Sequence, residues 1–302
     1  MTNKNNAITL KDWAYLAIAK NSHQIFEREG EVLEDRDPEN LHQMRVSVKK
    51  LKSAIAGFAI ALDLPEIVTE KNITRLDHSL GKLRDLDVLL HVLNQDYQPL
   101  LAQSEQKILN KVLKSLNKQR SKELNLVRKT LNSQFYFDIQ RGLQNWLEQP
   151  KYKPIGNCLI DFVLPDLLLN QVSQLLLHPG WLVGVEFAEG AIIPPQMLNQ
   201  ESVALILTNQ DSSLHSLCKL VKKTRYNLEL FSQLYGKTYH DYVDLIKRIQ
   251  QVLGQIQDFY VLKKFLEQSL KSAIAIKMPD LATHLLLARY RKRLEWETKK
   301  KQ

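Results

Sequence analysis

Apolar residues recur every three to four positions along almost the whole chain and rarely every second position, a period that predicts helix after helix. The first runs from Leu10 to Leu33, with Gly30 as a plausible terminator. Asp37-Pro38-Glu39 opens the next, proline being suited to a first turn. Pro65 disfavours helix in Leu64, so that helix should stop near Asp63-Leu64-Pro65. Further helices are expected from about Glu66 to Leu93, from Gln98 past Arg128, and from Tyr136 to Leu147. Gln149 to Pro154 reads as a linker near the midpoint. Beyond it lie an apolar helix over Ile155–Leu177, then helices over Ser212–Tyr235 and Tyr239–Leu270, and a last one from Asp280.

Within this pattern one sentence is written twice, 173 residues apart. Leu41-His42, Arg45, Lys49-Lys50, Lys52, Leu80-Gly81 and Asp85 are matched by Leu214-His215, Lys219, Lys222-Lys223, Arg225, Leu253-Gly254 and Asp258. His42 to Asp85 and His215 to Asp258 are both 43 residues, so one helical hairpin is present in two copies. The expected fold is all-α, with four antiparallel helices per half forming two four-helix bundles. The first sub-bundle covers about 9–148 and the second about 155–297 of one domain over 1–302. The second copy carries a Pro/Gly-rich insertion over about 178–205, in which Trp181–Phe187 reads as a strand or an extended hook. No strand-rich region is large enough for a barrel or a nucleotide-binding sheet.

Each repeated helix has two faces. At about 100° per residue, Arg45, Lys49 and Lys52 fall within ~80° of His42, while Met44, Val48, Leu51, Ile55 and Phe58 gather opposite. His215, Lys219, Lys222 and Arg225 share a sector in the second copy, facing away from Leu217, Val221, Leu228 and Phe231. An ordinary solvated face mixes signs, because like charges at i,i+3 and i,i+4 repel. Two faces that are cationic without interleaved anions point to an anionic ligand.

Charge and cysteine content narrow the class. Forty-two Lys+Arg against thirty-three Asp+Glu give +9, favouring phosphate polymers, nucleic acid or lipid headgroups. Cys158 and Cys218 are the only cysteines, too few for a disulfide framework, and a reducing compartment is expected. The start MTNKNNAITLKDW lacks an apolar signal core. Ala54–Leu62 and Cys158–Leu169 are too short to span a bilayer or are interrupted by charge, so a cytoplasmic protein without membrane insertion is expected.

At LHQMRVSVKKLKSAI with LGKLRDLDVL, and at LHSLCKLVKKTRYNLELF with LGQIQDFYVL, the chain resembles the conserved histidine α-helical domain (CHAD) family, from about residue 9 to 297. The resemblance implies two bundles with pseudo-two-fold symmetry and a basic groove or pore between them. It also implies binding of inorganic polyphosphate without catalysis, with no cofactor. By position, His42, Arg45, Lys49, Lys50 and Lys52 match the first family motif, and His215, Lys219, Lys222, Lys223 and Arg225 the second. The family usually has arginine where Cys218 and Gln257 stand, the latter opposite Arg84, so the second half-site departs from the pattern.

A polyphosphate ligand suits these residues, since it needs many cations and little shape selection. Asp85 and Asp258 are read either as orienting His42 and His215 or as salt-bridging a lysine for packing. Gly81 and Gly254, mid-helix, suggest close helix contact. One histidine per repeat, without a second ligand at i+4, argues against metal. His178, His240 and His284 look incidental, and Tyr226 is core or a rim donor. Glu295-Trp296-Glu297-Thr298-Lys299 spells the E-x-E-x-K pattern of triphosphate tunnel enzymes, but that pattern needs a strand and here continues a helix.

The leading expectation is a non-enzymatic polyphosphate-binding module, compatible with association with polyphosphate granules. The alternative is RNA or DNA binding through the same surface, for which stacking aromatics are nearly lacking beside the cations. A hydrolase would want clustered carboxylates or a phosphate loop, and neither is seen.

Overall fold

Helix dominates the chain, as its apolar period requires. The computed structural model describes residues 9–188, 191–193 and 211–299. The α-helices are α1 (Leu10–Glu27), α2 (Glu29–Glu34), α3 (Pro38–Gly57), α4 (Glu70–His91), α5 (Gln103–Leu131) and α6 (Gln134–Glu148). They continue as α7 (Ile160–Leu176), α8 (Asp211–Leu230), α9 (Lys237–Leu270), α10 (Ile274–Lys277) and α11 (Pro279–Lys299). Among the described residues the protein is all-α apart from an antiparallel pair of three-residue strands, β1 (Glu186–Ala188) with β2 (Ala191–Ile193).

Local chemistry explains most boundaries. Thr9 and Asp12 form a capping box at the start of α1. Asp37 caps α3 by accepting from the Glu39 N–H at 2.8 Å, with Pro38 in the first turn as expected. Two stops differ from the sequence reading. Gly30 does not terminate the first helix: the break comes at Arg28, Gly30 lies inside α2, and Asp35 ends that turn in the left-handed region at φ 56°. Helix α3 ends at Gly57 rather than near Pro65, because Phe58 turns fully into the core and the following loop pairs with residues 151–153. There Asp63 N–H donates to the Lys151 carbonyl (3.3 Å), and Lys153 N–H to that of Ala61 (2.9 Å). The Trp146 indole N–H reaches the Asp63 carbonyl (3.0 Å), so the expected linker is stitched down.

The chain forms two compact units that are not its two halves. One gathers residues up to Leu90 with Leu116–Asn170; the other gathers His91–Ser115 with Gln171 onward. The boundary expected at 149–154 therefore falls inside the first unit. In that unit α1 lies along α3, burying Leu10, Ala14 and Ile18 with Met44, Val48 and Leu51. In the second, Leu217 and Val221 of α8, Ile249, Val252 and Ile256 of α9, and Trp296 of α11 form the core.

Helices α3 and α8 are each 20 residues, and both ends are offset by 173. The insertion begins after α7 with a 3-10 turn at Pro179–Leu182, where Trp181 stacks on Trp296 at 5.3 Å. His178 is not incidental: its Nδ1 accepts from the Gly180 N–H (3.0 Å) and pins that turn. Of the Trp181–Phe187 stretch, only Glu186 and Phe187 are strand; residues 194–205 of the insertion lie outside the described residues. Helix α7 leaves Phe162, Leu169 and Leu176 exposed. The run Ile160–Leu182 is long and apolar enough to cross a membrane by length and composition, continuing past the Leu169 at which the sequence reading stopped it. Glu295, Trp296 and Glu297 lie on α11, with Trp296 fully buried, so the E-x-E-x-K run has no strand to work on.

Candidate functional site

The apolar face of α3 fixes what its other face can present. Leu41, Met44, Val48, Leu51 and Ile55 are at most 5 % exposed, which leaves His42, Arg45, Lys49, Lys50 and Lys52 partly exposed around the remaining surface. Helix α4 brings Asp77, Gly81, Arg84 and Asp85 to this surface.

Arg45 is the centre of the cluster. Its Nη1 donates to the Gly81 carbonyl at 3.4 Å and stands 3.6 Å from Asp85, and its Nε lies 3.5 Å from Asp77. These distances exceed the roughly 2.7–2.9 Å of a fully made charge-assisted bond, so the guanidinium is oriented without being saturated. Arg120 in the same unit is the opposite case. It makes three 2.6 Å bonds to Asp35 and Asp87 and is committed to structure. Asp85 thus meets Arg45, where spacing alone offers His42 or a lysine.

His42 is held below its ordinary pKa. Burial is the largest cause and the Arg84 charge the next; Glu39 pulls the other way, and Lys49 and Arg45 add smaller downward pushes. The imidazole is therefore neutral at pH 7 and sits among cations. A bound polyanion favours its protonated form, so affinity for polyanions should rise as pH falls toward the lowered His42 pKa, and His42→Gln should remove that rise. Stability has the opposite sign. The unfolded chain takes up the proton first, so the contribution of neutral His42 is present above the unfolded value and lost as pH falls through the folded one. Affinity titrations of both proteins from pH 8 to 5 check this, and an identical slope in the variant would remove His42 from the site.

The second copy is built differently, and one substitution accounts for it. Cys218 stands at the position equivalent to Arg45, buried, its thiol pushed up by burial, with Lys222 and Asp258 close enough to act on it in opposite directions. Its short side chain cannot reach Gly254. A Cβ on Gly81 would meet Arg45 Nη2 at 3.2 Å, whereas one on Gly254 would meet nothing within 4 Å. The close contact expected at both glycines therefore exists at Gly81 only. Arg225, expected as an anion contact, is held by Gln250 (2.6 Å) and Glu229 (2.5 Å) and lies 4.4 Å over the Tyr226 ring. Gln250 is the positional equivalent of Asp77, so Arg225 takes over the anchoring that Arg45 performs in the first copy. His215 is partly exposed, and Lys219, Lys222 and Lys223 are exposed.

This asymmetry predicts different outcomes for one substitution. Gly254→Ala should raise stability by up to ~1 kcal/mol, the ordinary gain from replacing a mid-helix glycine. Gly81→Ala should gain less and weaken anion binding, because Arg45 must move. Denaturant melts with binding titrations read both, and equal gains without a binding change would contradict the clasp.

Asp77 has no place in the repeated motif. Asp77 is buried on α4, four residues before Gly81, and a carboxylate on an otherwise apolar helix face was the available signal.

Residues 16–267 match the CHAD domain family model. The chain is similar to the crystal structure of the CHAD domain from the plant Ricinus communis, at 23 % identity and TM-score 0.65, over 97 % of this chain and 88 % of that one. It is also similar to PptA from Streptomyces chartreusis, at 14 % identity and TM-score 0.62, over 97 % and 96 %. No curated protein matches the sequence.

Proposed function

We propose that this chain, which belongs to the CHAD domain family, is a non-enzymatic binder of inorganic polyphosphate. The observation that carries the reading is the α3–α4 cluster. His42, Arg45, Lys49 and Arg84 converge on one surface, and Arg45 is positioned by contacts of 3.4–3.6 Å that leave it able to bond further. Arginine offers two parallel donors to phosphate oxygens and lysine a mobile point charge, so the set suits a flexible polymer of phosphates. The second copy contributes Lys219, Lys222 and Lys223 with His215, without the arginine clasp, and is the weaker half-site. A cytoplasmic location, near polyphosphate stores, belongs to the same proposal.

Two half-sites on one protein gain from a ligand long enough to occupy both, through effective concentration. Affinity should climb with chain length and then flatten, and log affinity should fall linearly with log salt. Isothermal titrations with pyrophosphate, tripolyphosphate and long chains at several salt concentrations test this. Pyrophosphate binding as tightly as long chains would overturn it. Arg45→Ala should cost more affinity than Lys219→Ala, because only Arg45 is pre-oriented by its helix partner.

A further inference from the structure

Helix α5 carries a second cationic surface that neither the repeat nor the family motif includes. Its residues Lys107, Lys111, Lys114, Lys118, Lys122 and Lys129 are all exposed. At about 100° per residue they fall within one sector ~80° wide, opposite the face of Leu109, Val112, Leu116 and Val127 that enters the interior. The helix's two acids, Glu105 and Glu123, fall outside that sector, ~100° from its nearest lysine. Glu105 is buried and caps the start of α11, accepting from the backbone N–H groups of Asp280 (2.7 Å) and Leu281 (3.0 Å).

A solvent face alone does not require this. Lysines 107/111, 111/114, 114/118 and 118/122 are all i,i+3 or i,i+4 neighbours, and each like-charge pair costs a few tenths of a kcal/mol. Glutamate at alternate positions would turn those repulsions into attractions at the same solubility, and no glutamate stands among them. Within the first unit the row, Lys118 to Lys129, extends roughly 16 Å along the helix axis. It carries no arginine and no exposed aromatic, so it offers neither base stacking nor bidentate recognition, only evenly spaced charge.

The row also leads to the site already described. Lys122 and Gln119 of α5 line a cavity of about 280 Å³ with Lys82, Asp85 and Leu86 of α4 and with Glu123. Asp85 is the residue that Arg45 approaches at 3.6 Å. Of the two carboxylates in the cavity, Asp85 is thus matched by Arg45, and Glu123 stands beside Lys122 and Lys82.

We propose that the lysine face of α5 over Lys118, Lys122 and Lys129, all within the first unit, is a track for the distal part of a long polyphosphate chain, entered past Lys82 and Lys122 from the His42–Arg45 cluster. This rests on the polyphosphate reading above and extends it. The track sets how far affinity keeps rising with chain length, whereas short chains are held by the cluster alone.

The test compares three proteins with tripolyphosphate and with chains of about a hundred phosphates. They are the native chain, a variant with Lys118, Lys122 and Lys129 changed to Gln, and a control with Lys237, Lys264 and Lys277 changed to Gln. Both variants lose three positive charges, and glutamine keeps helix propensity close to that of lysine. The α5 variant should bind tripolyphosphate as the native chain does, lose at least tenfold in long-chain affinity and show a shallower salt dependence. The control should lose much less. Equal long-chain losses in the two variants would reduce the track to bulk charge and overturn it, as would a native-like α5 variant. A native chain that binds no polyphosphate of any length would instead overturn the underlying reading.

Discussion

Changing Lys49 and Lys222 together to glutamate should weaken binding of long polyphosphate on the order of a hundredfold at low salt while leaving the melting temperature nearly unchanged. The two lysines occupy equivalent positions in the repeat, on the cationic faces of α3 and α8. A unit charge about 5 Å from a phosphate is worth roughly 0.8 kcal/mol in a water-like dielectric. Replacing two cations by two anions changes the sum by four units, or about 3 kcal/mol. Folding should hardly respond, since partly or fully exposed cations contribute at most a fraction of a kcal/mol each. A folded double variant with native affinity would remove these faces from the binding surface. The loss should shrink as salt is raised, because screening removes the long-range share first.

Arg120→Met should have the larger effect on stability, about 3–5 kcal/mol, with little change in polyphosphate affinity per folded molecule. Arg120 bridges Asp35 and Asp87 at 2.6 Å, and the Asp87 side chain is only 3 % exposed. Burial already pushes Asp87 up despite Arg120 beside it, so deleting the cation leaves two carboxylates facing each other in a poorly solvated place. That corresponds to a fall in melting temperature on the order of ten degrees. Changing Asp35 and Asp87 to Asn as well should recover most of it, because the cost arises from the orphaned charges. A single variant that melts like the native chain, or a triple variant no better than the single one, would contradict this account of the bridge.

What the sequence made legible followed from periodicity and register. The apolar faces of α3 and α8, the offset of 173 and the capping at Asp37 are local properties, and local chemistry is readable along a chain. The asymmetry of the copies was half legible: Cys218 at the Arg45 position was visible, but its consequence at Gly254 depends on how far a side chain reaches across to another helix. The fate of Arg225 was hidden for the same reason, since Gln250 and Glu229 are ordinary surface residues in sequence. Arg120 did leave a signal, a charge among Leu109, Leu116 and Val127 on the apolar face of α5, which calls for a buried partner. Its partners Asp35 and Asp87 are 85 and 33 residues away, beyond what spacing can show. The division into units was illegible altogether. Residues 149–154 have a linker's composition, yet backbone hydrogen bonds to Ala61 and Asp63 bind them into one unit.

The most direct measurement is a competition at near-physiological salt, in which the native chain holding labelled long-chain polyphosphate is challenged with unlabelled polyphosphate, tRNA and duplex DNA at equal phosphate concentration. Polyphosphate should displace the label at concentrations at least tenfold below either nucleic acid, because the site provides dense charge without stacking side chains. Displacement by tRNA or duplex DNA at equal or lower concentration would contradict it and make the basic surface a nucleic-acid interface.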